Sequence, residues 1–162
     1  MSKEIAIVFG ASGFLGSHVA EALSSDGYQV RLFDRTPSDF KRSDQEMIVG
    51  DIMNLEDVTK AIQGASIVYN FAAIADIDEA NEKPLATAEV NILGNMNVLE
   101  ASRLAGIRRF IFASSVYVYS ESGSFYRASK QAAERFIETY QDRYGLDYTI
   151  LRYGSLYGRR TD

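Results

Sequence analysis

The chain contains no cysteine, so disulfides and thiolate metal sites are excluded from the outset. A single histidine, His18, excludes a His-rich metal site as well, and no metal is expected. Prolines number two, Pro37 and Pro84, and both fall outside the stretches that read as strands. Long runs of Lys or Arg are missing, and the formal net charge of −5 argues against nucleic acid or an anionic membrane as partner. The first apolar run, Ile5-Ala6-Ile7-Val8-Phe9, follows Met1-Ser2-Lys3-Glu4 directly. It is too short to span a membrane and lacks the cleavage region of a secretion signal, so a cytoplasmic location is the expectation.

What is present suits one globular domain over residues 1–162, because 46% of the residues are hydrophobic and 24% are charged. Short apolar runs alternate with longer helical patterns. Strands are expected at 5–9, 30–33, 47–49, 67–71, 110–113 and 148–151. Helices are expected from Phe14 to near Gly27, from a cap at Asn54 through Gln63, over 85–105 and over 125–144. Strict alternation of strand and helix calls for an α/β fold, a parallel sheet covered on both faces. Right-handed crossovers from a central first strand give the doubly wound Rossmann fold, strand order 3-2-1-4-5-6.

Gly10-Ala11-Ser12-Gly13-Phe14-Leu15-Gly16 stands between the first strand and the first helix, where a phosphate cradle belongs. Gly10 allows a tight turn, Gly13 lets backbone approach a pyrophosphate, and Gly16 lets helix and strand pack closely. Free N–H groups at the positive end of the helix then favour the phosphates. Asp34, closing the second strand, can accept hydrogen bonds from both hydroxyls of an adenosine ribose and would repel a 2′-phosphate. NAD is therefore expected in preference to NADP, although Arg35 beside it is a residue type that can receive that phosphate. Asp51 can meet an adenine amino group or serve as a loop cap. Ala72 and Ala73 are small enough for backbone to lie against a cofactor.

Tyr126 and Lys130 share one helix face at i and i+4, and Ser115 ends the fifth strand. A phenol is a poor base near neutrality, but an adjacent ammonium and a cationic nicotinamide ring would stabilise its phenolate. Tyr126 can then remove a hydroxyl proton while hydride leaves the carbon, with Ser115 bonded to the same oxygen. Alternatively, Tyr126 is a helix-packing aromatic and Lys130 an i,i+4 partner of Glu134.

These motifs, in order, resemble the extended short-chain dehydrogenase/reductases, specifically the NAD-dependent epimerase/dehydratase group acting on nucleotide sugars. The resemblance rests on Gly10 to Gly16 with Ser17-His18, on Gly50-Asp51, on Asn70-Phe71-Ala72-Ala73, and on Val90-Asn91 with Gly94 and Asn97. It continues through Ser114-Ser115-Val116-Tyr117-Val118-Tyr119, Tyr126 to Lys130, and Leu151-Arg152-Tyr153-Gly154-Ser155-Leu156-Tyr157-Gly158-Arg159. It implies Ser115, Tyr126 and Lys130 as the catalytic trio and a nucleotide-sugar substrate. Cofactor contacts are implied at Gly10, Ser12, Gly13, Phe14, Leu15, Gly16, Asp34, Arg35, Asp51, Ile52, Phe71, Ala72, Ala73, Asn91, Tyr126 and Lys130. It also implies a homodimer joined through the helices at 85–105 and 125–144; their second apolar stripe includes Ala132, Phe136 and Tyr140, residues that could equally belong to the core.

Departures narrow the expectation. Val116 and Tyr117 replace the Asp-Glu pair that 4,6-dehydratases use for elimination, which leaves epimerisation or simple alcohol/ketone oxidoreduction. The segment from Ser115 to Tyr126 is short and proline-free, implying a more open sugar pocket, and Ser155 stands where Asn is common. The resemblance implies a smaller substrate domain that residues 1–162 do not include, as expected of either a fragment or a minimal natural relative. A non-catalytic dinucleotide-binding module is the reading from another functional class.

Overall fold

The computed structural model describes residues 3–161; Met1, Ser2 and Asp162, at the ends of the expected domain span, lie outside the described residues. Six strands form the sheet: β1 (Ile5–Phe9), β2 (Gln29–Asp34), β3 (Glu46–Val49), β4 (Ile67–Asn70), β5 (Arg109–Ser115) and β6 (Tyr148–Tyr153). Their order is β3-β2-β1-β4-β5-β6, and every neighbouring pair runs parallel. The expected doubly wound arrangement is the observed one.

The helices are α1 (Phe14–Ser25), α2 (Leu55–Ile62), α3 (Ile77–Glu82), α4 (Pro84–Ala88), α5 (Asn95–Ala105) and α6 (Ser124–Tyr144). They cover the sheet unevenly. Because side chains alternate along a strand, Ile7 and Phe9 face one way and Ala6 and Val8 the other. Ile7, Phe9, Phe33, Val68, Phe110 and Phe112 pack with Val58 and Ile62 of α2, Val98 and Leu99 of α5, and Ile137 of α6. On the opposite face, Ala6, Val8, Val30 and Leu32 meet Ala20 and Leu23 of α1. Each fully buried Phe, Ile or Leu contributes about 1.5–3 kcal/mol relative to its exposed state. The larger cluster is therefore the main source of stability, and α6 is anchored to it through Ala133 and Ile137.

Three local features differ from the sequence expectation. The helix expected over 85–105 is interrupted by a π-helical stretch, Glu89–Gly94, between α4 and α5. A short helix, α3, precedes it; its N-cap Asp76 accepts a hydrogen bond from the Glu79 backbone N–H at 2.8 Å. After β5 the chain makes one 3₁₀ turn, Val116–Tyr119, capped by the Ser115 hydroxyl accepting from the Tyr117 N–H at 3.3 Å.

The expected cap of α2 forms: the Asn54 Oδ1 accepts from the N–H groups of Glu56 at 3.0 Å and Asp57 at 3.4 Å. Asn54→Ala leaves both donors to water. The expected outcome is a loss of about 1 kcal/mol, read as a lower urea midpoint with unchanged slope.

Candidate active site

The carboxyl ends of the strands open onto a cavity of 720 Å³. At its floor is the turn after β1. Gly10 holds φ at +75°, and a Cβ there would lie 2.7 Å from the Ala72 nitrogen; a Cβ on Gly16 would lie 2.1 Å from the Gly10 carbonyl oxygen. These positions admit no side chain, whereas a Cβ on Gly13 would meet only that oxygen, at 3.4 Å. The α1 N-terminus has no side-chain cap, which leaves the first-turn N–H groups to a ligand. Residues that fit a dinucleotide pyrophosphate are therefore present at this turn: a crowded glycine backbone, an open Gly13 and an uncapped helix end.

Gly10, Gly13, Phe14, Leu15 and Gly16 line the cavity. Ser12 does not; its N–H donates to Asp34 Oδ2 at 2.9 Å and its hydroxyl to the Thr36 carbonyl at 2.7 Å. Asp34 is fixed on its other side by the Arg35 N–H, which donates to Oδ1 at 2.7 Å. Asp34 and Arg35 both line the cavity, as do Asp51 and Ile52 after β3. Asp51 also accepts from the Met53 N–H at 2.9 Å, so it is a turn residue and a cavity residue together. Phe71, Ala72 and Ala73, after β4, form the wall beside the glycine turn.

Asn91 is buried behind that wall. Its Oδ1 accepts from the Ile74 N–H at 2.8 Å, and its Nδ2 donates to the Ile74 carbonyl at 3.0 Å and the Ser129 hydroxyl at 2.9 Å. An asparagine pair reinforces the same loop. Asn70 Nδ2 donates to Asn95 Oδ1 at 2.8 Å, while Asn70 Oδ1 accepts from the Ala72 N–H at 3.2 Å.

Ser115, Tyr126 and Lys130 converge on the cavity from β5 and α6. Lys130 Nζ donates to the Ala113 carbonyl at 2.8 Å and lies 4.8 Å from the Phe112 ring centroid and 5.7 Å from that of Tyr126. It does not pair with Glu134, whose carboxylate is held by Arg152. Burial pushes the Lys130 ammonium down to about 8, with the Glu134 charge opposing. Burial pushes the Tyr126 phenol up, and the Ser115 hydroxyl opposes that shift.

Residues that the sequence reading did not assign to the cofactor or the chemistry also line the cavity, among them Phe33, Ile74, Asp76, Tyr153 and Leu156. Asp76 carried a signal, an acidic cap three residues before Glu79. Ala113, which acts through its carbonyl, had none, because backbone acceptors do not show in residue type.

Among the described residues, no group of His, Asp and Glu is arranged to hold a metal, and no helix is long and apolar enough to cross a membrane.

Against known proteins, residues 6–162 match the NAD dependent epimerase/dehydratase family. The chain is similar to a UDP-glucose 4-epimerase of Mycolicibacterium smegmatis, 29% identical over 96% of this chain and 57% of that protein. Its fold is similar to the Thermotoga maritima UDP-glucose 4-epimerase solved with UDP-glucose: TM-score 0.92, 29% identity, covering 98% of this chain and 58% of the other. The Thermus thermophilus UDP-glucose 4-epimerase solved with NAD superposes with TM-score 0.89 and 32% identity, covering 98% of this chain and 57% of the other. The chain thus spans little more than half the length of these relatives.

Burying the Lys130 ammonium has a pH signature. Below pH 8 both folded and unfolded chains carry the proton, and folding bears the full cost. From about pH 8 to 10.5 the folded chain releases it while the unfolded chain keeps it, so stability rises with pH. Lys130→Met should therefore be more stable than the parent at pH 7, by on the order of 2 kcal/mol in urea unfolding. The difference should vanish or reverse near pH 10.5, where only the lost bond to Ala113 remains.

Proposed function

Because the chain belongs to the NAD dependent epimerase/dehydratase family, we propose that it binds NAD along the strand ends and supports hydride transfer at a hydroxyl-bearing carbon of a nucleotide sugar. The observation that carries this reading is convergence. Ser115, Tyr126 and Lys130 line the same cavity as the glycine turn and Asp34.

The parts divide the work along the sheet edge. The uncapped N-terminus of α1 receives the pyrophosphate, and the Asp34 carboxylate, steadied by two backbone N–H groups, takes the adenosine ribose hydroxyls. The same fixed charge disfavours a 2′-phosphate, so NAD is preferred to NADP. At the other end the Ser115 hydroxyl holds the substrate oxygen and Tyr126 accepts its proton. Lys130, with further donors beyond its bond to Ala113, anchors the cofactor side and favours the phenolate. The chemistry bound NAD supplies is hydride acceptance, return of the hydride to the other face in an epimerisation, and a positive charge that offsets burial at Tyr126. Val116 and Tyr117, following Ser115, offer no carboxylate for elimination.

The test is incubation of the NAD-loaded chain with UDP-glucose. Expected is UDP-galactose with no net NADH absorbance, and a fall in turnover of about 10²–10⁴-fold in Tyr126→Phe. Stoichiometric NADH would instead mark net alcohol oxidation. NAD binding with no turnover, or turnover unaffected by Tyr126→Phe, would leave a dinucleotide-binding module and reject the catalytic reading.

The same reading includes a homodimer joined across α5 and α6. Leu93, in the π-helical stretch before α5, and Leu104 of α5 are 51% and 61% exposed, while Phe136 and Tyr140 of α6 are only partly buried against the core. Light scattering should return a dimer mass at micromolar concentration, and Leu104→Glu should return a monomer. A monomeric parent chain would reject the dimer.

A further inference from the structure

We propose that Glu134, clamped by Arg152, is a positioning residue for Lys130: its carboxylate, one helical turn further along α6, keeps the buried ammonium protonated and fixed at the cavity wall. The consequence for catalysis rests on the role proposed for Lys130; the electrostatic relation itself does not.

Lys130 and Glu134 follow at i and i+4 and are only 4% and 6% exposed. A buried ammonium needs a compensating charge, yet among the described residues its one hydrogen bond is to the neutral Ala113 carbonyl. Glu134 does not pair with it directly. Arg152 of β6 occupies both carboxylate oxygens, Nε to Oε1 at 3.0 Å and Nη2 to Oε2 at 2.7 Å. The guanidinium also bonds the Tyr119 hydroxyl and stacks 4.7 Å from that ring centroid. Clamped in this way, Glu134 stays ionised although it is buried, and it cannot swing over to take the lysine proton. It acts on Lys130 through its field. Among the described residues, the polar side chains lining the cavity with Lys130 on α6 and β5 are Tyr126, Ser114 and Ser115, with Asn91 bonded to the adjacent Ser129; all are neutral near pH 8. Arg152, paired with the Glu134 carboxylate, brings a like charge whose field opposes it.

The two partners of a purely structural ion pair would behave alike on removal. Here they should act on Lys130 in opposite directions. The experiment is an NMR titration of the Lys130 side chain in the full chain, without NAD, for the parent, Glu134→Gln and Arg152→Met. Expected is a parent midpoint at about 8, a midpoint about one pH unit lower in Glu134→Gln, and a higher one in Arg152→Met. Glu134→Gln within about 0.3 of the parent, or both variants moving the same way, overturns the proposal. If one variant fails to fold, the direction in the other decides alone. Should the midpoints shift as expected while NAD affinity keeps the same pH profile, the cofactor role of Lys130 fails and the Glu134 assignment stands.

Discussion

Parallel strand direction is the constraint on which the site depends. With every pairing parallel, all six carboxyl ends emerge on one edge, and each delivers one component there. The glycine turn follows β1, Asp34 ends β2, Asp51 follows β3, Ala72 and Ala73 follow β4, Ser115 ends β5, and Tyr153 ends β6. The chain order reverses around β1, which lies between β2 and β4, and such a switch point leaves a crevice for a ligand. The loop after β4 approaches the turn after β1 so closely that Gly10 has no room for a Cβ, and Gly16 has none because α1 starts directly against that turn. Backbone crowding and ligand access are two consequences of the same geometry.

Within this frame the costly feature is Lys130. A cation buried between β5 and α6 works against folding, and it is retained among a carbonyl, an aromatic face and a clamped carboxylate rather than in a direct ion pair. A direct pair with Glu134 would hold the ammonium away from the cavity. The bidentate Arg152 clamp prevents that and ties β6 to α6, so one interaction serves both tertiary packing and the availability of the lysine. The surrounding core, with Phe110, Phe112, Ala133 and Ile137 essentially inaccessible, supplies the stability that makes the arrangement tolerable.

Strands, most helices and the sheet order were legible because each rests on periodicity or on glycine and cap chemistry in consecutive residues. Ser115, Tyr126 and Lys130 were legible as a group because a helical spacing followed a strand ending in hydroxyl residues. Features set by tertiary contact were not. The π winding at Glu89–Gly94 has i→i+5 bonds that a 3.6-residue pattern does not encode. Helix α3 has too few apolar residues to give a periodic signal. The elevated phenol of Tyr126 arises from burial, which the spacing to Lys130 could not reveal.

Asn91 shows why placing a residue near a cofactor differs from placing it in contact. All of its amide capacity toward the loop after β4 and toward α6 is engaged: the Ile74 N–H, the Ile74 carbonyl and the Ser129 hydroxyl. Ser129 lies next to Lys130 and in turn donates to the Tyr126 carbonyl at 2.8 Å. One side chain thus links the cavity wall at Ile74 to the helical turn that carries both Tyr126 and Lys130. The π stretch supplies Asn91 at the point where wall and helix must be joined, and irregular winding at such a position fits a functional constraint better than a packing defect. Its contribution to the site is then the spacing between the β4 loop and the tyrosine–lysine face, a distance that neither element sets by itself.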